Sequence, residues 1–122
     1  MANEITTFCS LSVNNGTLIL PQVGTVVQVT QATARGGGPG VVDVGVSPET
    51  IGFGDIVPGY VYAKNLDATN YVQLGVDYSG VFVPMLQLKA GEQSLFRLDA
   101  GVTTKAMATG GTVKVLFSAV NT

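Results

Sequence analysis

Short runs of alternating apolar and polar residues, cut by glycine or proline every few positions, constrain this chain more than any other feature. In 5–13, Ile5, Thr7, Cys9, Leu11 and Val13 fall on one face, while Thr6, Phe8, Ser10 and Ser12 fall on the other. A period of two is the mark of a strand, in which successive side chains point to opposite sides. Nineteen valines and thirteen threonines favour the same state, because β-branched side chains fit a pleated surface better than a helix. No segment sustains a 3.6-residue apolar period, so any helix is limited to a single turn.

The punctuation sets the order of elements. "NNG" at 14–16 suits a hairpin turn, since Asn and Gly tolerate positive φ, and "TLIL" continues as a strand that stops at Pro21. "GTVVQVTQATA" (24–34) reads as a longer strand and "RGGGPG" (35–40) as a mobile loop. "VVDVGV" (41–46) returns as a strand with Val42, Val44 and Val46 on one face. "ETIGF", a turn at "GDIVPG", then "YVYAKNL", "NYVQLGV", "VFVPMLQL", "SLFRLD", "TTKAMA" and "TVKVLFSAV" complete the chain. The links "DYSG" and "KAGE" are short enough to join antiparallel neighbours. About eight short strands without crossover helices predict an all-β antiparallel sandwich or barrel. A single domain over 1–122 is expected, with 1–12 as an arm or edge strand.

Charge narrows the function. Only 11 % of residues are charged, against about 25 % in ordinary soluble domains. So apolar a chain, with a net charge of −2, is expected to have part of its surface covered by another protein. Its six basic residues are scattered and form no stripe for phosphates, which argues against nucleic acid. The single Cys9 cannot form an intrachain disulfide; its place in an alternating segment predicts a buried, inert thiol in a reducing compartment. "MANEITTFCS" has no basic start followed by an apolar run, and no stretch nears the length of a membrane helix. A soluble protein made in a cytoplasm is expected, with no membrane partner.

Each candidate site in the chain also has a plainer structural role. The chain has no histidine, which removes Ser-His-Asp and Cys-His arrangements and the commonest zinc ligand. The acids (Glu4, Asp43, Glu49, Asp55, Asp67, Asp77, Glu92 and Asp99) stand singly, mostly beside turn residues, so a paired-carboxylate mechanism is not expected. Catalysis and cofactors are therefore not anticipated. "RGGGPG" lacks the Lys-Ser/Thr ending of a phosphate loop and precedes a strand; ordering on contact with a partner suits it better. Asp67, Asn70 and Asp77 offer oxygens for calcium, but in no EF-hand spacing. The turn reading is stronger: Asp67 and Asn70 bracket "AT" and can bond nearby backbone N–H groups, with Asn65 holding the turn against the adjacent strand end. Tyr60, Tyr62 and Tyr78 are candidate interface residues, or cover for the sandwich rim.

The run 60–98 carries a resemblance. An aromatic pair (Tyr60, Tyr62) is followed by "NLD" (65–67), "NYV" (70–72), Gly75, "VP" (83–84), "LKAGE" (88–92) and "FRL" (96–98). This third of the chain resembles small virion proteins of tailed bacteriophages, in particular capsid cement or decoration proteins. The resemblance implies a jelly-roll-like β-sandwich on the outer surface of the head. It also implies a homo-oligomer (dimer or trimer) clamping the major capsid protein. Arg35, Gly36, Gly37 and Gly38, with the three tyrosines, are the expected interface. The alternatives are a head–tail connector or tail component, or a small carbohydrate-binding module. The last normally needs a planar aromatic platform, and this chain has no Trp.

Overall fold

The computed structural model describes residues 3–99 and 101–122; residues 1–2 of the expected arm, and residue 100, lie outside them. The described elements are all strands: β1 (Ile5–Phe8), β2 (Leu11–Asn15), β3 (Leu18–Val23), β4 (Val26–Val29), β5 (Gly36–Val44) and β6 (Glu49–Thr50). They continue as β7 (Tyr60–Asn65), β8 (Tyr71–Tyr78), β9 (Val81–Leu88), β10 (Gln93–Arg97), β11 (Thr104–Thr109) and β12 (Val113–Val120). The chain divides into two compact units, one up to Ala34 and one spanning Arg35–Asn121.

The second unit is an antiparallel β-sandwich. One sheet has the order β10-β7-β12-β5 and the other β6-β11-β8-β9. Successive strands alternate between the sheets, except that β8 and β9 form a hairpin in one of them. Alternation along each strand builds the core, as period-two patterning requires. Val61 and Ala63 from β7, with Val113, Val115, Phe117 and Ala119 from β12, are fully buried on one side. Val72 and Leu74 from β8, Ala106 and Ala108 from β11, and Leu88 from β9 belong to the same cluster. The expected strands at 60–66, 70–76, 81–88, 94–99, 103–108 and 112–120 all fall on observed ones.

Two expectations in this unit are corrected. "RGGGPG" is not a loop: from Gly36 it is the start of β5, paired with β12. The reason is steric. A Cβ on Gly36 would lie 2.9 Å from the Ala119 carbonyl oxygen and 2.6 Å from the Val120 side chain, so the missing side chain admits a close backbone approach rather than mobility. Val42 and Val44 do share the core-facing side, but the strand ends at Val44 and Val46 is exposed.

The first unit consists of two-stranded pairings, β1 with β4 and β2 with β3, both antiparallel. The turn between β2 and β3 falls at "NNG", as expected, with Gly16 at φ 55°. The expected strand 5–13 is broken between Phe8 and Leu11, β3 runs through Pro21 to Val23, and the longer strand 24–34 is reduced to Val26–Val29. Cys9 is exposed rather than buried. It lies in the break between β1 and β2, where the alternation that predicted its burial is interrupted.

Candidate functional site

The cluster at 65–70 assembles as a closed local network. Asn65 ends β7 on the core side and is completely buried. Its Nδ2 donates to the Asn70 and Leu88 carbonyls, each at 3.0 Å, and its Oδ1 accepts from the Asp67 N–H at 2.8 Å. The Asp67 carboxylate accepts from the N–H groups of Thr69 (3.0 Å) and Asn70 (2.6 Å). These are Asx-type bonds of the kind that replace a backbone turn. The amide of Asn65 also reaches across to the end of β9 at Leu88, so the β7–β8 turn is fastened to the strand beyond its neighbour.

One oxygen of Asp67 is thus engaged with backbone N–H groups. Asp77 stands at the far end of β8, roughly 20 Å along the strand from this turn, and pairs with Lys105 at 3.3 Å. Among the described residues, no three of His, Cys, Asp and Glu gather closely enough to hold a metal ion. The arrangement is suited to holding strands in place.

Hydrogen bonds from the Asn70 and Thr69 backbone hold the Asp67 carboxyl below its ordinary pKa, because they favour the charged form. A lowered native pKa adds stability that is fully present above the unfolded value, about 3.9. That stability is lost as pH falls through the native value. Asp67→Asn is therefore expected to be less stable than the parent at pH 7, with the gap narrowing below about pH 4. Urea titrations across that range check it; a gap independent of pH would show that the charge is not what matters.

The expected interface residues are partly brought together. Tyr60 and Tyr62 project from the outer side of β7, alternating with the core residues Val61 and Ala63. Tyr60 lies opposite Arg97 and Val120, and Tyr62 opposite Leu95 and Ser118. The Arg97 guanidinium sits 5.2 Å from the centre of the Tyr60 ring, and the Tyr62 hydroxyl donates to Gln93 Oε1 at 2.6 Å. Both rings are thus held in place on a sheet face that also carries half-buried Leu116 and exposed Val41. Gly36, Gly37 and Gly38 are in β5, on the edge of this same sheet. Arg35 precedes that strand and bonds the Asp55 carbonyl at 3.4 Å. Tyr78 is elsewhere: it ends β8 in the other sheet and is exposed.

Two apolar surfaces escape a reading by motif. The edge strand β9 exposes Val81, Val83, Met85 and Leu86. Beside it, Leu74, Val76, Met85, Leu86, Phe96 and Val102 line a groove of about 360 Å³. Thr104 also lines it, with a buried hydroxyl that has no hydrogen-bond partner among the described residues. The other surface is the first unit, where Phe8, Leu11, Leu18, Ile19, Leu20, Val23, Val26 and Val27 are all exposed. The signal was present in "VFVPMLQL" and in 5–34, where apolar residues abound and no Asp, Glu, Lys or Arg occurs.

No helix of the described residues is long and apolar enough to cross a membrane. No protein-family model, curated protein or solved structure matches the chain.

Proposed function

We propose that this chain is a non-enzymatic structural protein of a tailed-phage particle, a capsid cement or decoration protein that works as a homo-oligomer. The observation that carries the assembly part is the apolar surface left uncovered on the first unit and on β9. Monomeric proteins rarely expose contiguous apolar patches beyond a few hundred Å², and larger ones mark contacts. The phage part rests on the 60–98 resemblance. That run coincides with the consecutive strands β7 to β10 and the lock at Asn65, Asp67 and Asn70.

We read the sandwich as a jelly roll, an eight-stranded double sheet used by viral capsid and lectin domains. The sheet orders β10-β7-β12-β5 and β6-β11-β8-β9 support this reading. In such a role the outer face around Tyr60 and Tyr62, with the β5 edge at Gly36–Gly38, would meet the major capsid protein on the outer head surface. Lattice geometry would make many modest contacts act together. A ring-forming head–tail or tail component is the second reading, and the free apolar edge of β9 favours it, since head-to-tail contacts close into rings.

Co-sedimentation of the full chain with expanded capsid shells, tail tubes and a polysaccharide separates these. Saturable binding to shells alone is expected. Binding to tail tubes alone would select the ring-forming component, and absence of shell binding would sink the cement reading.

A further inference from the structure

Cross-strand pairing defines one side of the β2–β3 ribbon. Leu11 stands opposite Val23, Val13 opposite Leu20, and Asn15 opposite Leu18. Directly opposed residues share a face, and so do Leu11, Val13 and Asn15 by alternation. The register shift between the first two pairs adds a residue near Pro21, and this returns Val23 to the face of Leu18 and Leu20. Leu11 (59 %), Leu18 (58 %) and Val23 (52 %) are more than half exposed, and Leu20 is 38 % exposed.

A two-stranded ribbon is marginal in water without further strands or a packed face, so this one needs a cover. Glu4 is the only Asp, Glu, Lys or Arg in residues 1–34. The ribbon thus has nothing with which to recognise a basic or acidic partner, and nothing on the face to repel a copy of itself. The exposed residues of this face, Leu11, Leu18, Leu20 and Val23, offer a copy on the order of 400 Å², which puts the contact at the low end of specific interfaces. A two-fold axis through the Val13–Leu20 pair would set Leu18 of one ribbon over the Leu11–Val23 pair of the other, a self-complementary contact.

We infer that the Leu11, Val13, Leu18, Leu20, Val23 face docks against the same face of a second copy of this chain. This locates the self-association included in the proposed function. It depends on the oligomer part of that reading and not on its phage part.

Sedimentation and cysteine cross-linking of the full chain test it. At ~50 µM, above a micromolar Kd, the parent is expected at two or more times its 12.6 kDa mass. Leu11→Glu with Leu20→Glu is expected to sediment as a monomer while keeping the parent's cooperative melt. In a Cys9→Ser background, Leu20→Cys is expected to form a disulfide-linked dimer under mild oxidation, and Met85→Cys on β9 is not. A monomeric parent overturns the inference. So does a glutamate variant that keeps the parent's mass, or cross-linking at position 85 and not at 20. A monomer that binds shells would remove this contact and leave the cement reading standing; an oligomer built on this face that ignores shells would do the reverse.

Discussion

Asn65→Ala is expected to lower the stability of the sandwich by about 2–4 kcal/mol, since each buried polar group left unpaired costs about 1–3 kcal/mol. The side chain is fully buried and serves three backbone groups at once: the Asn70 carbonyl, the Leu88 carbonyl and the Asp67 N–H. Alanine satisfies none of them and leaves a small void. Water can reach the turn at 66–70 more readily than the end of β9, so the Leu88 carbonyl bears most of the penalty. A shift in urea midpoint at constant slope measures the loss. A loss below about 1 kcal/mol would mean that water replaces the amide and that the turn is not locked from within. The same titration with millimolar calcium tests the rival role. A ligand site would raise the midpoint of the parent and not of the variant, whereas a structural lock leaves both unmoved.

This turn was legible in the sequence because its chemistry is local. Asp67 bonds Thr69 and Asn70 within three positions, and Asx residues do this wherever a chain must turn. The link to Leu88 is twenty-three positions away; the reading reached a strand end but could not say which one. Glycine at 36–38 was misread because an absent Cβ serves two ends, freedom and close approach. Only the register of β5 against β12 decides between them. Cys9 failed for a related reason. Alternation states which residues share a face and is silent on whether a second layer covers that face. The same limit applies to Leu11, Leu18 and Val23, which lie in strands and stand exposed. Tyr60 and Tyr62 share the outer side of β7, while Tyr78, grouped with them on residue type, ends β8. The two sheets separate it from them.

Phe117→Ala is expected to be the most damaging single substitution in the sandwich, costing about 3–5 kcal/mol through lost burial and the cavity left behind. Phe117 is the largest of the fully buried side chains, on a strand flanked by β5 and β7. Few groups nearby can collapse into its space, since Ala63, its cross-strand partner, and Ala119 on the same face are already small. The adjacent Leu116 points the other way and is only partly buried, so Leu116→Ala is expected to cost about 1 kcal/mol, in proportion to its smaller buried area. Measured side by side by urea unfolding, the two test the alternation of β12 at neighbouring positions. Equal losses would mean that the outer face of this sheet is as well packed as the core, leaving no free surface for a partner. The expected inequality has a functional counterpart. Leu116→Asp, beside Tyr62 across the β7–β12 pairing, should leave the sandwich folded and weaken shell binding at least tenfold, about 1.4 kcal/mol. Phe117→Ala should bind shells as the parent does under conditions where it remains folded. Undiminished binding by a folded Leu116→Asp variant would place the contact away from this face.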